Sequence, residues 1–552
     1  MDAPLIPDAS VADRNHRRFR LPKIPLSAIA FLILTASVSL LESHCYYFVG
    51  GDEILELWVD RASSLTQLIH IQRVLPLAVD PFFFHGLTFA GIHFFGVNPF
   101  VLRLPSLLGF LLMQISLFFF VRRIASVSVA AFALAFPVFT GAFWFAGMIR
   151  PYGLLLGLFG LAMLSWQTAV RRESHRTWAL VVLALTIALA FNTHYYSVLL
   201  LVPLCAAELV RSCQNRRVDV PVLMSIGAGM AGVAFILPFL KGAAEFRANY
   251  QAEAVPRQVI TQSYNYILLG HATFSTNTNH LLASCFGLIA VLVLGSCIRQ
   301  LRSKTLNLPD AEFVFLVTIA ALPFIGFILG RFITHAMEPR YVLGSVIGIA
   351  ALLAIALAPL FRDHTIGRLA LLLFFATFAY RGITGISAAQ RAHHDALASL
   401  VLSPQVKAAI LASPSKLIYT QDIDFFGFAS FYEPDADVRS RLALVYSRDE
   451  EMRWKQSDDD SLNVLHLKSF APFTILPYES LASQPGDHIF VISHGGWNWT
   501  DQAFAAEHVE VTPIGNVAGS DVVSVRFPTL NPMPAPASRQ TETGPLTAPL
   551  LY

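Results

Sequence analysis

Two acidic residues, Asp52 and Glu53, follow a pair of glycines soon after the first long apolar run of the chain. Apolar residues then recur at positions 54, 57, 58, 65, 68 and 69, a spacing that predicts a helix with one apolar face. Asp52 would lie at the start of that helix, where carboxylates often cap backbone N–H groups. A carboxylate can also act as general base toward a hydroxyl within hydrogen-bond reach. The two roles are compatible, because one oxygen can cap while the other faces a cleft.

The composition indicates that this helix belongs to a membrane protein. Of the 552 residues, 55% are apolar and 14% are charged, whereas soluble globular chains carry roughly 25% charged residues. The apolar residues cluster into segments of about 18 to 22 residues, long enough to cross a hydrocarbon core of roughly 30 Å. The formal net charge of +2 gives no reason to expect a nucleic-acid partner.

About eleven segments have the length and composition of transmembrane helices. They are 24–42, 101–120, 125–146, 152–170, 177–193, 196–210, 220–240, 282–298, 312–330, 341–361 and 367–385. Basic residues precede the first of them, as in a signal peptide, but that run is longer than a usual signal core. It also lacks a small-x-small cleavage site, so we expect it to be retained as the first span.

Basic residues in short loops predict how these spans are oriented. On one side of an eleven-span arrangement lie Arg14, Arg17, Arg18, Arg20, Lys23, Arg122, Arg123, Arg171, Arg172, Arg176, Arg211, Arg216, Arg217, Arg299, Arg302, Lys304, Arg362 and Arg368. The short loops on the other side are poorer in basic residues. Because the basic side is cytoplasmic, we expect a multi-pass plasma-membrane protein with a cytoplasmic N-terminus and an extracytoplasmic C-terminus.

The C-terminal part changes character and predicts a small α/β domain. Segments 416–420, 442–446, 488–492 and 522–527 have the composition of short strands and are separated by polar stretches. From Pro528 onward Pro, Thr and Ala dominate, which is typical of a disordered tail. The predicted domains are therefore a cytoplasmic segment 1–23, a transmembrane domain 24–388, an extracytoplasmic α/β domain 389–527 and a tail 528–552.

The predicted outer face also collects cations and aromatic residues. These are Arg103 before the second span, Arg150 and Tyr152 at the fourth, His194 between the fifth and sixth, and Arg340 and Tyr341 at the tenth. A phosphate group at a membrane surface needs such cations. Interfacial Arg and Tyr also serve as plain anchors, Arg103 could snorkel, and His194 could cap a span, so these alternatives stay open.

In order and spacing, these motifs resemble the polyprenyl-phosphate-sugar-dependent glycosyltransferases of the GT-C fold. The closest resemblance is to the branch with bacterial aminoarabinose transferases and protein O-mannosyltransferases. The motifs are Gly-Asp52-Glu53, Asp80-Pro81-Phe82-Phe83-Phe84, Gly96…Arg103-Leu-Pro-Ser106, Arg150-x-Tyr152, Thr193-His194-Tyr195-Tyr196 and Glu338-x-Arg340-Tyr341. The resemblance covers about residues 20 to 385. One departure is Asp80-Pro81, where the family often has two prolines.

The resemblance implies an all-α polytopic, GT-C-like domain with surface helices in the first outer loop, beside the small α/β domain. It also implies an inverting transfer in which Asp52 deprotonates an acceptor that attacks a sugar carried on a polyprenyl phosphate. Arg340, with Arg150 or Arg103, would stabilise the phosphate, while Tyr152, His194 and Tyr341 would contact phosphate or sugar. Glu53 would bind a metal or orient Asp52. No cofactor is certain, and a divalent metal stays open.

The expected partners are the lipid-linked donor, membrane lipid and an acceptor of open identity, which could be a lipid, a glycan or a protein. The chain has no Gly-rich loop followed by Lys-Ser or Lys-Thr, which fits a donor that is not a nucleotide. Two alternatives remain. One is a polysaccharide polymerase or ligase with a diphosphate-linked donor, and the other is a non-enzymatic flippase or transporter.

Overall fold

The structure is a computed structural model that divides into two compact units. The helical unit comprises 1–44, 98–233 and 254–387, and the mixed unit comprises 45–97, 234–253 and 388–552. The structure describes residues 25–45, 52–74, 80–171, 175–240, 255–271, 273–362, 364–400, 404–412, 417–433, 435–468, 470, 473–482, 484, 486–493, 498–517 and 520–528. The predicted segment 1–23, and the predicted tail apart from Pro528, lie outside the described residues.

Helices account for most of the described chain. In order they are α1 (Leu26–Cys45), α2 (Asp52–Asp60), α3 (Leu65–Val74), α4 (Phe82–Phe95), α5 (Pro99–Arg122), α6 (Val127–Ala135), α7 (Tyr152–Val170), α8 (Arg176–Phe191), α9 (Leu201–Asn215), α10 (Val220–Met230), α11 (Gln258–Leu269), α12 (Thr276–Arg302), α13 (Asp310–Ala320), α14 (Leu322–Leu329), α15 (Ser345–Leu357), α16 (His364–Leu400), α17 (Pro404–Ala412), α18 (Ile423–Tyr432), α19 (Ala436–Arg441), α20 (Arg448–Lys455), α21 (Asp459–Leu467), α22 (Glu479–Ala482) and α23 (Thr500–Ala506).

Among the described residues, six helical stretches are long and apolar enough to cross a membrane. They are Phe100–Arg122, Tyr152–Val170, Tyr195–Asn215, Val220–Phe239, Thr276–Arg302 and Gly367–Ala388. The bent pair Asp310–Ala320 and Leu322–Thr334, with 58° between its halves, makes a seventh if it is one span. The other four predicted spans coincide with shorter apolar helices at Leu26–Leu41, Val127–Phe139, Arg176–Phe191 and Ser345–Leu357. The chain is thus a multi-pass integral membrane protein, and the count of eleven stays a prediction.

Close packing between α5 and α7 depends on glycine. A Cβ atom on Gly153 would lie 2.5 Å from the Ser106 carbonyl oxygen, and one on Gly157 would collide with the backbone of Gly109. Only residues without a side chain let the two backbones approach so closely, as is common between membrane helices. The crossing holds the first turn of α7 beside the first turns of α5, which matters for the site described below.

The opposite ends of these helices are fastened by a buried polar network. Glu312 at the start of α13 is 1% exposed and accepts hydrogen bonds from the Arg171 guanidinium at 2.6 and 2.8 Å and from Gln167 Nε2 at 2.9 Å. Arg123 in turn donates to Gln167 Oε1 at 3.0 Å. Arginines that mark the predicted cytoplasmic side therefore also tie the ends of α5, α7 and α13 together.

The mixed unit carries a six-stranded sheet of order β3-β2-β1-β4-β6-β5. Its strands are β1 (Ile418–Thr420), β2 (Leu442–Tyr446), β3 (Thr474–Pro477), β4 (Asp487–Ser493), β5 (Glu510–Val517) and β6 (Ser520–Arg526). The first four are parallel to one another, β6 is antiparallel to β4, and β5 is antiparallel to β6. We call the part from 417 to 528 the sheet domain.

The sequence predicted four of these strands and missed β3 and β5, which form the two edges of the sheet. β3 has only four residues and ends in proline. β5 contains Pro513 and a bulge at Gly515. Proline and bulges are tolerated at sheet edges, and both weaken the alternating pattern by which strands are recognised.

The first loop contains two amphipathic helices, α2 and α3, where the apolar spacing predicted one, so that detail of the prediction is wrong. Residues 61–64 separate them, and Gln67 Oε1 accepts hydrogen bonds from the Ser63 backbone N–H at 2.6 Å and from its hydroxyl at 2.7 Å. Such local side-chain bonds compete with the helical pattern and end it. The third helix of this loop, α4, is followed directly by Gly96, whose φ of +76° favours glycine and ends the helix.

Candidate functional site

A short turn between Ala146 and α7 presents Arg150, and α5 holds this turn in place. Arg103 Nε donates to the Gly147 carbonyl oxygen at 2.6 Å, and the Ser106 hydroxyl donates to the Arg150 carbonyl oxygen at 2.6 Å. Arg103 is 4% exposed. Its burial and its backbone bond argue against snorkelling and for a role in shaping the turn that carries Arg150.

Four of the predicted binding residues form one continuous chain of contacts in the helical unit. The Arg150 guanidinium lies 5.8 Å from the ring centre of Tyr152, in the range of a cation–π contact. The Tyr152 ring lies 5.3 Å from that of His194, and the His194 ring lies 5.1 Å from that of Tyr341. Segments that are far apart in sequence therefore bring a cation, an imidazole and two phenols together.

His194 is 5% exposed and has a local structural role beside its ring contacts. Its Nδ1 accepts a hydrogen bond from the Tyr196 backbone N–H at 3.1 Å and so caps the 3₁₀ turn Tyr195–Leu200. An accepting Nδ1 carries no proton, so neutral His194 has its proton on Nε2 and can donate from there. The capping role and a ligand-binding role are therefore compatible in one ring.

No role was predicted for Tyr196 from the sequence, although it follows His194 by two positions in the same motif. Its ring centre lies 4.6 Å from that of Tyr341. Its hydroxyl lies 2.6 Å from Thr334 Oγ1 and also donates to the Ala336 carbonyl oxygen. Tyr196 thus braces the segment that leads into Arg340 and Tyr341.

Arg340 and Tyr341 lie in the short 3₁₀ turn Pro339–Val342, which packs against α11. Arg340 is half-buried. Phe145 links Tyr266 of α11 to the contact chain. Its ring centre lies 5.9 Å from that of Tyr266 and 5.1 Å from that of Tyr152. No helix and no role were predicted for the segment that forms α11.

Asp52 and Glu53 belong to the mixed unit. Asp52 is the first residue of α2, and its side chain lies outside the described residues. Glu53 is buried, with 7% of its surface exposed. Positions 56 and 60 follow 52 at intervals of four residues, a spacing that lines one side of a helix. They are occupied by Glu56 and Asp60.

A buried histidine of α4 lies between these two carboxylates, an arrangement that the sequence did not predict. His85 Nδ1 lies 2.7 Å from Asp60 Oδ1, and His85 Nε2 lies 3.2 Å from Glu56 Oε2. Burial alone lowers the pKa of His85, but Glu56, Asp60 and then Asp80 raise it, and the pKa is raised to about 9. The ring is therefore an imidazolium at neutral pH. The four-residue spacing of Glu56 and Asp60 was the signal in the sequence, but nothing there named their partner.

Glu56, Asp60 and His85 are also the one group among the described residues whose ligand atoms lie close enough to hold a metal, within 4.8 Å of one another. Two carboxylates and an imidazole are a donor set that zinc accepts when water completes the shell. Here, however, each ring nitrogen faces a different carboxylate, which is the pattern of an ion-paired imidazolium. The geometry fits a bridging cation on His85 better than a metal ion. Glu53, for which a metal or orienting role is expected, is not a member of this group.

Comparisons with known proteins agree with the sequence motifs. Residues 80–241 match the family described as dolichyl-phosphate-mannose-protein mannosyltransferase. The fold is similar to that of ArnT from Cupriavidus metallidurans in the apo state, with 13% identity, a TM-score of 0.56, and coverage of 90% of this chain and 97% of ArnT. ArnT bound to undecaprenyl phosphate gives the same identity and coverage with a TM-score of 0.54.

The archaeal oligosaccharyltransferase AglB from Archaeoglobus fulgidus, solved with an inhibitory peptide and a dolichol-phosphate, is 10% identical. That match covers 93% of this chain and 75% of AglB with a TM-score of 0.43. A search of curated protein sequences finds no match. The resemblance to the GT-C glycosyltransferases is therefore confirmed, since the chain has the fold of ArnT and its residues 80–241 match the mannosyltransferase family.

Proposed function

We propose that this protein is an inverting glycosyltransferase that moves a sugar from a polyprenyl-phosphate carrier to an acceptor at the extracytoplasmic face of the plasma membrane. The observation that carries the proposal is the contact chain of Arg150, Tyr152, His194 and Tyr341. It joins a cation to hydrogen-bonding aromatic rings at the turns between membrane helices. The family match, which includes the first three of these residues, supports the same assignment.

Negative charge builds up on the phosphate of the donor as its bond to the sugar breaks. Cations beside the phosphate are therefore needed to stabilise that charge. Arg150 and Arg340 are assigned to hold this phosphate, since guanidinium groups bind phosphate oxygens through paired hydrogen bonds. Arg103 contributes by holding the turn that carries Arg150. Cations of this kind, placed in advance where charge develops, stabilise the transition state more than the ground state.

The aromatic residues of the contact chain suit the sugar. Tyr152 and Tyr341 offer ring faces and hydroxyl groups, and His194 offers a donor at Nε2. Sugars present both apolar ring faces and hydroxyl groups, so such a surface binds them by packing and by hydrogen bonds. The identity of the sugar depends on the shape of this surface.

The transfer itself needs a base. Asp52 is assigned to remove the proton from an acceptor hydroxyl, whose oxygen then bonds to the anomeric carbon as the bond to the polyprenyl phosphate breaks. One displacement inverts the anomeric configuration, and the electron pair of the broken bond leaves with the phosphate. The outer location follows from the basic loops, which predict a cytoplasmic N-terminus.

The test is mass spectrometry of the products that the purified protein forms from a panel of polyprenyl-phosphate sugars with lipid, glycan and peptide acceptors. We expect a new glycosidic bond of inverted configuration, together with release of polyprenyl phosphate. Transfer from diphosphate-linked donors alone would support a polymerase or ligase. Movement of donor across vesicles without any glycosidic bond would support a flippase, and either result would overturn the proposal.

A further inference from the structure

The helix that begins at Asp52 is seated on the sheet domain. Leu55 and Trp58, on the apolar side of α2, pack against the core beneath the sheet. The Trp58 ring lies 5.9 Å from that of Phe426 in α18 and 4.9 Å from that of Phe473, just before β3. The ring centres of Phe426 and Phe473 are 4.8 Å apart, so the three rings form one cluster between α2 and the sheet domain.

Ile54 of α2 lies directly against Gly427 of α18. A Cβ atom on Gly427 would lie 2.5 Å from Ile54 Cδ1 and 2.8 Å from its Cγ2. Ile54 is 3% exposed, so its side chain has no open space into which it can move. Glycine in the middle of a helix costs roughly 1 kcal/mol relative to alanine, and here it lets α2 lie directly on α18.

The helix α18 is in turn anchored to the sheet. It follows β1 after two residues, and Asp422 caps it by accepting a hydrogen bond from the Phe425 backbone N–H at 3.0 Å. The Asp422 backbone N–H donates to Thr420 Oγ1, at the end of β1, at 3.1 Å. The start of α18 is therefore tied by hydrogen bonds to the end of β1.

The other side of α2 is held equally firmly. His85 of α4 bridges Glu56 and Asp60, as described above. Val59 packs with Leu68 and Ile71 of α3, and Phe470 of the sheet domain packs on the same group. The helix is thus clamped between the first-loop helices α3 and α4 and the sheet domain.

We propose that the sheet domain positions the catalytic helix, with Gly427 as a positioning residue that sets the seat of α2 and hence the place of Asp52. The inference rests on the proposed function for its catalytic consequence, but the mechanical link is independent of it. A domain that only shields the membrane surface would not need the close contact between the Ile54 side chain and the Gly427 backbone.

The test uses the Gly427→Ala variant of the full-length protein. Alanine favours the helix more than glycine does, so a defect cannot come from lost helix propensity. We expect kcat for a polyprenyl-phosphate sugar to fall about 10- to 100-fold with KM for the donor nearly unchanged, because a shift of roughly 1 Å at a catalytic group has this cost. Amide hydrogen exchange in residues 52–60 should also become faster.

Gly515→Ala is the matched control. A Cβ atom there would crowd Val406 of α17 just as closely, at 2.4 Å from its Cγ2, and the atoms that it would meet belong to Val406 and not to α2. Gly515→Ala should retain the wild-type kcat and the wild-type exchange rate in 52–60. The double variant Ile54→Ala/Gly427→Ala should be more active than the two single effects multiplied together, since removing the isoleucine atoms relieves the collision.

Equal kcat and equal exchange in Gly427→Ala and Gly515→Ala would overturn the inference. If the wild-type protein forms no glycosidic bond with any donor, the proposed function fails, while the exchange of residues 52–60 still decides whether Gly427 seats α2. If transfer occurs and only the exchange changes, with kcat unaltered, the catalytic consequence is wrong.

Discussion

His85 Nδ1 lies 2.7 Å from Asp60 Oδ1, and both side chains are completely buried. With Glu56 on the other ring nitrogen, a single imidazolium holds two carboxylates of α2 against α4. A buried charge pair adds little net stability when it is compared with an apolar replacement, but removing one partner leaves the other charge stranded. Removing the His85 bridge should therefore strongly lower the stability of the first loop.

Replacing the bridging ring should destabilise the protein substantially. His85→Phe keeps an aromatic ring but leaves Glu56 and Asp60 without their cation, at a cost of about 3–5 kcal/mol. We expect a clear fall in Tm, measured by thermal unfolding in detergent. His93→Phe changes an exposed histidine of the same helix and should leave Tm nearly unchanged. Equal Tm values for the two variants would contradict the buried bridge.

The same bridge predicts a dependence of stability on pH. The pKa of His85 is raised from 6.5 to about 9 in the folded protein, so its contribution is fully present below about 6.5 and is lost as the pH rises through 9. Wild-type Tm should fall between these values more steeply than the Tm of His85→Phe. The groups that face the ring are Glu56, Asp60 and Asp80. Parallel Tm curves for both proteins would show that His85 does not titrate in this range.

Asp52→Asn separates the two roles predicted for Asp52, a helix cap and a general base. Asparagine caps helices as well as aspartate does, but it accepts no proton at neutral pH. We expect Tm to stay within about 1 °C and turnover of the lipid-linked donor to fall roughly 10²- to 10⁴-fold. If the variant releases polyprenyl phosphate at the wild-type rate, Asp52 is not the base, and only the predicted cap remains.

The assignment of Arg340 to the donor phosphate is tested by comparing it with Arg331, an arginine of the same predicted loop. Arg340→Gln should lower kcat/KM for the donor by roughly 10²- to 10³-fold, the usual cost of losing one preorganised donor to a developing anion. Arg331→Gln, nine positions earlier in the chain, removes an exposed arginine whose contact is a 3.4 Å bond to the Val255 carbonyl oxygen. It should act like the wild type. Equal losses in both variants would indicate a general effect of loop charge.

The buried network at the opposite helix ends should govern stability rather than catalysis. Arg171→Gln leaves Glu312 buried without its ion pair, which should cost about 3–5 kcal/mol and lower Tm. The fraction that stays folded should keep the wild-type KM for the donor. Arg122→Gln is the control, because Arg122 is exposed and, within the described part of the chain, bonds only to the nearby Ala125 carbonyl oxygen. A shift in KM without a change in Tm would contradict this assignment.

The membrane class, the apolar helices and the candidate binding residues could be predicted from the sequence because each follows from a local pattern. Apolar runs must cover a bilayer, and Arg150, Tyr152, His194 and Tyr341 stood at motif positions of predicted outer turns. Four strands were also recognisable, whereas β3 and β5 were missed because edge strands tolerate proline, bulges and short length.

What only the tertiary structure decided is which of these residues meet. Tyr152, His194 and Tyr341 come together because glycines let α5 and α7 approach closely and because the turn at 339–342 packs on α11. His85 finds Glu56 and Asp60, and Gly427 finds Ile54, across separations that no periodicity encodes. Helical periodicity reports which face of an element is apolar, but contacts between distant elements depend on three-dimensional packing, and so the seat of the helix that starts at Asp52 became visible only in the fold.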